Sequence, residues 1–246
     1  DNTHGDELRC YDLATNTILL AGDINPGNGN SFIHDITLLN GKLYFGATAN
    51  TQSYHLYSYD PQTLLTTMVS DVFNDAIPGA FGLVSFDNQL FFNAYDSAYD
   101  TRLWVYNPAT DSTIIVTDSV EVRTWSDMIV LNDRLYFIAD DGISGTELWS
   151  YDPINETIFL TADIRPGAIG SSPNYLVNFN DKIFFVANDN VGNHEIWSFD
   201  GITAKLEVDI NPGVLGSAPS RLSAAGDKLY FSATSDATGP EPWSLF

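Results

Sequence analysis

The sequence predicts an all-β fold, specifically a five-bladed β-propeller with four-stranded antiparallel blades and a closing blade shared by the N- and C-termini. Three observations predict it. Lys42-Leu43-Tyr44-Phe45 returns as Gln89-Leu90-Phe91-Phe92, Arg134-Leu135-Tyr136-Phe137, Lys182-Ile183-Phe184-Phe185 and Lys228-Leu229-Tyr230-Phe231, at intervals of 47, 45, 48 and 46 residues. A second motif, Glu147-Leu148-Trp149, keeps the same phase at Glu195-Ile196-Trp197 and, more loosely, at Arg102-Leu103-Trp104. A third, Asp-Ile-x-Pro-Gly, stands at 23–27, 163–167 and 209–213, with only its leading acid kept at Asp71 and Asp118. A period of 45–48 residues matched at three motifs marks stacked repeat units.

Each unit reads as four short strands. The first follows the Pro-Gly turn, as at Asn174 to Phe179. The second is the Lys-Leu-Tyr-Phe stretch and the third the Glu-Leu-Trp stretch. The fourth is apolar and precedes the Asp, as at Thr157 to Leu160 or Thr113 to Val116. Gly, Asn, Asp and Pro punctuate the junctions, which is turn chemistry, and no stretch sustains a 3.6-residue period. In the second strand Leu135, Phe137 and Ala139 point one way and Tyr136 and Ile138 the other, so both faces are apolar. Such strands lie between two neighbouring sheets, which a propeller provides and a sandwich with one wet face does not.

The ends complete the pattern. Residues 7–12 form a third-strand motif, followed by a fourth strand at Thr17 to Ala21; the chain finishes with a first strand, a second strand and Glu241-Pro242-Trp243. One domain, 1–246, is therefore expected, closed by a blade built from 1–22 and 214–246 so that no sheet edge is left open. Strands one, two and four occur five times each and the third-strand motif six times, so one copy is surplus. Both terminal copies are weakened, Arg9 standing where Trp is usual and Pro242 unable to donate to a ladder. The N-terminal copy is the one expected to pair in the sheet, because a short hairpin ties it to the fourth strand. The spare copy offers a route to self-association.

Composition narrows the function. The 246 residues hold 32 acidic and 10 basic side chains, a formal charge of -22, with 44% hydrophobic residues. The chain is globular rather than disordered. It lacks the apolar run of roughly 20 residues that a membrane helix needs. So acidic a surface is a poor partner for nucleic acid, and membrane insertion is not expected. The single cysteine, Cys10, excludes an internal disulfide and a Cys-based zinc site.

The quoted motifs resemble the bacterial ELW-x-x-DGT repeat family, most clearly over residues 133–232. The closing Asp-Gly-Thr survives only as Asp200-Gly201-Ile202, with Asp152-Pro153 and Asp60-Pro61 elsewhere. The resemblance implies secreted or surface-anchored bacterial proteins, often multidomain, with no settled activity and no catalytic residues to carry over.

Two sets of residues are candidates for function. Asp23, Asp71, Asp118, Asp163 and Asp209 recur in phase, so a closed ring would place five carboxylates on one rim. No cofactor is required; calcium is the ion such a rim would suit, since carboxylates and carbonyls match a hard cation. The alternative is structural, with each Asp accepting from the backbone two residues on. The second set breaks the repeat. The same first-strand slot reads Asp35, Gly82, Asp127, Tyr175 and Arg221, with His34 and Trp125 nearby. On an innermost strand, His34, Asp35, Trp125, Asp127, Tyr175 and Arg221 would line a channel mouth suited to polar recognition, sugars included. The repeated tryptophans read as packing between blades, each indole N–H finding a local acceptor. The acidic loops around Asp96, Asp140 and Asp189 read as solvated turns.

The expectation is a non-catalytic extracellular or cell-surface module for binding or adhesion, with a glycan or a protein as ligand. The alternative is a structural subunit of a surface layer or filament with head-to-tail contacts. A glycoside hydrolase is the third reading, and it lacks a close carboxylate pair: Asp35 and Asp127 stand two blades apart.

Overall fold

Antiparallel strand pairs account for all the regular structure in a computed structural model that describes residues 3–49, 54–69, 79–123, 128–189, 192–212, 216–235 and 238–246. No helix among the described residues is long and apolar enough to cross a membrane. The chain forms two compact units, Asp1–Asp118 and Ser119–Phe246.

The first unit opens with a hairpin of β1 (Leu8–Asp12) and β2 (Thr17–Gly22). Two four-stranded meanders follow: β3 (His34–Leu39), β4 (Lys42–Ala47), β5 (His55–Asp60) and β6 (Leu65–Met68), then β7 (Phe81–Phe86), β8 (Gln89–Tyr95), β9 (Thr101–Asn107) and β10 (Ser112–Thr117). In the second unit the first strand of the leading sheet is in two pieces, β11 (Glu121–Val122) and β12 (Ile129–Leu131). Both pair with β13 (Arg134–Asp140), which continues to β14 (Thr146–Asp152) and β15 (Thr157–Ala162). The next sheet holds β16 (Asn174–Phe179), β17 (Lys182–Asn188), β18 (His194–Phe199) and β19 (Ala204–Val208). The last holds β20 (Ser220–Ala225), β21 (Lys228–Ser235) and β22 (Thr238–Leu245).

The second strands β8, β13 and β17 are buried on both faces, whereas β21 leaves Tyr230 exposed. Leu135, Tyr136, Phe137, Ile138 and Ala139 are each at most 2% exposed, so β13 is covered on either side, as its unbroken apolar run requires. Within each unit, apolar clusters fill spaces between consecutive sheets. Phe92 and Trp104 pack with Tyr44 and Leu56; Ile183 and Phe185 pack with Tyr136 and Leu148. Leu8 and Ala21 of the N-terminal hairpin pack in the same way onto Phe45 and Tyr57. First strands of successive sheets neighbour one another, β3 with β7, β12 with β16 and β16 with β20.

The strand pairing corrects one expectation. The C-terminal third-strand copy is the one paired to a second strand, with Trp243 opposite Phe231, whereas β1 pairs with β2 in a sheet of two. Pro240 and Pro242 are tolerated because β22 ends its three-stranded sheet, where one side of the strand needs no donors. Trp104 and Trp149 are buried as expected, and the indole N–H groups of Trp104 and Trp243 donate to the Ala94 and Ala233 carbonyls. Those of Trp149 and Trp197 find no acceptor, and Trp243 is 37% exposed at its sheet edge.

Candidate functional site

The Asp-Ile-x-Pro-Gly loops are held by a residue that sequence reasoning passed over, the Glu that opens the third strand. Glu147 is fully buried, and its carboxylate accepts the backbone N–H groups of Ile164 (3.3 Å), Arg165 (3.0 Å) and Ser171 (2.8 Å) and the Ser171 hydroxyl. Glu195 does the same for Ile210 (3.3 Å), Ser217 N–H (2.7 Å) and the Ser217 hydroxyl (2.6 Å). Glu7 accepts from Ile24 (2.9 Å), Asn25 (3.1 Å) and the Ser31 hydroxyl. Each of these serines then accepts at its own carbonyl from the end of the next second strand, at Thr48, Asn188 and Thr234. One carboxylate therefore ties the third strand of one sheet to the second strand of the following sheet.

Burial raises the carboxyl groups of Glu147 and Glu195 above the usual range, with the hydrogen bonds from Ser171 and Ser217 acting the other way. The motifs come and go together. Where the equivalent position holds His55 or Arg102, the loop keeps only Asp71 or Asp118. Arg102 instead pairs with Asp96 (3.0 Å) and Asp100 (2.7 Å) inside its own sheet.

At Asp23 and Asp163 the clasp takes the N–H two residues on, at Asn25 and Arg165, that a turn-forming Asp would hold. Asp23, Asp118, Asp163 and Asp209 are exposed; Asp71 lies outside the described residues. Among the described residues no group of three or more His, Cys, Asp or Glu side chains is placed to hold a metal ion. The acidic loops are turns. Asp141 accepts from Ile143 (2.9 Å) and Ser144 (2.7 Å), and Asp96 from Ala98 (2.8 Å) and Asp100 (3.0 Å).

The first-strand slot has a shared backbone. Asp35 (φ 52), Gly82 (φ 63), Tyr175 (φ 56) and Arg221 (φ 57) all lie in the left-handed region, each inside a register shift between first and second strands. Such a bulge suits glycine and costs other residues about 1–2 kcal/mol. Asp35 offsets the cost through its side chain, which accepts the Gly82 N–H of the next first strand at 2.7 Å. Burial opposes its ionisation, but the bonds from His34 and Gly82 prevail and hold its carboxyl below the usual range. His34 stacks on Phe81 with ring centroids 5.1 Å apart and meets Tyr54 edge-on at 5.0 Å. His34 and Asp35 thus join adjacent sheets. Tyr175 (40% exposed) and Arg221 point outward. Trp125 and Asp127 lie outside the described residues.

No family model matches the chain, and no curated protein does. Solved structures do. TolB from Acinetobacter baumannii is 14% identical, with a TM-score of 0.55 over 92% of this chain and 56% of its own. A prolyl endopeptidase is 12% identical, with a TM-score of 0.61 over 98% of this chain and 37% of that one. Puromycin hydrolase is 15% identical, with a TM-score of 0.58 over 87% and 35%. The chain thus spans little more than half of the first and about a third of the other two. At these identities the likeness is one of fold alone, and that fold is the β-propeller.

Proposed function

We propose that the chain is a five-bladed propeller acting as a non-catalytic extracellular module for binding or adhesion, with a glycan as its ligand. Four sheets have all four strands, and the reading counts the first–second–third set at the C-terminus and the third–fourth pair at the N-terminus as the fifth blade, with one third strand to spare. The export and the bacterial cell-surface setting follow from the repeat resemblance.

The observation that carries the binding role is the slot shared by Tyr175 and Arg221. The backbone there is one that glycine adopts freely, yet exposed Tyr and Arg occupy it. Strain kept at positions this exposed points to selection for what the side chain touches. Tyr supplies a flat amphipathic face and Arg a planar donor array, both effective in recognition. The carboxylate clasps hold the loops beside them in place before any partner arrives, so little ordering is lost on contact.

The test is an oligosaccharide and polysaccharide array probed with the folded protein. Binding should appear and should fall about tenfold or more with Tyr175→Ala or Arg221→Ala. Absence of binding by folded wild-type protein contradicts the reading.

A further inference from the structure

We propose that a cleft in the first unit, separate from the first-strand slot, is a binding site for a single neutral sugar ring. The cleft has a volume of about 520 Å³, within the range of small-molecule sites. Its floor is Ser58 and Thr67, opposed on β5 and β6 with hydroxyl oxygens 3.1 Å apart. Tyr44 and Lys42 form one wall; Tyr106 and Asp111, on and just beyond β9, form the other.

Comparison with the other sheets shows why the space is open here. Thr67 stands opposite Ser58; the residue opposite Ser150 is Phe159, and the one opposite Ser198 is Lys205. Arg134, at the repeat position of Lys42, lies over the Phe159 ring at 5.8 Å. Lys182, also at that position, pairs with Glu207 at 3.4 Å, and Glu207 accepts the Ser198 hydroxyl at 2.7 Å. A ring and its cation fill the site in one sheet and an ion pair fills it in another. In the first unit a small Thr leaves it unfilled. The neighbouring aromatic also differs: Tyr44 meets Tyr106 at 5.9 Å, whereas Tyr136 meets Phe199, which carries no hydroxyl.

The lining selects the ligand. The Tyr106 hydroxyl donates to Asp111 at 3.0 Å, and burial raises the phenols of Tyr44 and Tyr106 above the usual range. The two charged groups of the lining already have partners, Lys42 in Asp60 at 3.6 Å and Asp111 in the Tyr106 hydroxyl, so neither calls for a charged ligand. The formal charge of -22 repels anions. The rings of Tyr44 and Tyr106 are buried, so the cleft offers hydroxyl, carboxylate and amide groups rather than a stacking face. A compact, uncharged molecule with many hydroxyl groups matches that inventory. One ring held this way binds with a Kd on the order of millimolar, which array washing removes, so the array reads the first-strand slot and not the cleft.

The test is saturation-transfer NMR on the whole chain with galactose, glucose, mannose and N-acetylglucosamine. At least one should bind. Thr67→Phe, which puts at the floor the residue found opposite Ser150, should abolish the signal. Tyr106→Phe, which reproduces the aromatic at 199 and so preserves folding, should weaken binding about tenfold. Ile154→Ala, at an exposed turn of the second unit, should leave the signal unchanged. Binding that survives both cleft variants, or no binding of any of the four sugars by folded wild type, overturns the cleft site. The second result leaves the array test of the first-strand slot standing.

Discussion

The Glu147 carboxylate accepts the Ser171 backbone N–H at 2.8 Å across 24 residues of chain, and through Ser171 it reaches the amide of Asn188. Glu7 reaches Ser31 across the same 24 residues, and Glu195 reaches Ser217 across 22. A buried carboxylate accepting several N–H groups is a strong joint, because breaking it strands donors that have no other partner.

Glu147→Ala should therefore destabilise the chain by about 3 kcal/mol, from three backbone donors losing their acceptor. Glu147→Gln should cost less, since one oxygen remains while the amide nitrogen faces N–H donors. Urea unfolding midpoints check this ordering. Equal effects, or none, would show that the loop holds itself.

The same carboxylates set a pH dependence. With pKa values raised by burial, Glu147 and Glu195 bind protons more tightly in the native state than in the unfolded chain. Their contribution to stability is full below the ordinary Glu range and is lost as pH rises through the raised values. The stability gap between wild type and Glu147→Gln, whose amide does not titrate, should widen as pH falls through the raised value toward the ordinary Glu range. Asp96 has the opposite sign. Burial opposes its ionisation, but Arg102 and the Asp100 and Ala98 amides prevail and hold it below the usual range, so its contribution disappears in acid. Chemical denaturation at several pH values reads both.

Gly46→Ala should displace His34. A Cβ at residue 46 would stand 2.2 Å from His34 Cε1 and 2.7 Å from the Ala80 carbonyl oxygen. Residues 34 and 46 are opposed in register, as are Ser220 and Ser232, where two small side chains share the space. The single variant should lose about 2–3 kcal/mol, and His34→Ser should restore part of it in the double variant. Purely additive losses would place the clash elsewhere.

Calcium is expected to leave the melting temperature unchanged, and so is EDTA, because Asp23, Asp118, Asp163 and Asp209 are exposed and gathered into no multi-carboxylate group among the described residues. A rise with millimolar calcium would reinstate an ion at the rim, since binding to the native state must stabilise it.

Much of the architecture was legible in the sequence because periodicity and two-faced apolar strands report directly on sheets packed between sheets. Strands of all four types appear where the motifs place them, down to the sixth copy of the third. Which terminal copy pairs with the second strand was not legible, because a short hairpin ties β1 to β2 without tying it to a second strand, and prolines are tolerated in β22, which ends its sheet among the described residues. The Glu clasp was missed for a related reason. Glu147 reads locally as one polar residue of an alternating strand, and its partners lie 17 to 24 residues on. The signal that could have found it was co-occurrence: Glu stands at 7, 147 and 195 where the full Pro-Gly loop follows, and is missing at 55 and 102 where it does not. The left-handed slot was visible only as side-chain variety; Gly82 among Asp, Tyr and Arg was the trace of the backbone beneath it.

The most direct measurement is the paired variant Tyr175→Gly and Arg221→Gly, read both for unfolding free energy and for glycan-array binding. The account predicts that stability holds or rises by about 1 kcal/mol per site, as glycine relieves the left-handed backbone, while binding is lost. A variant that loses stability and still binds would contradict it.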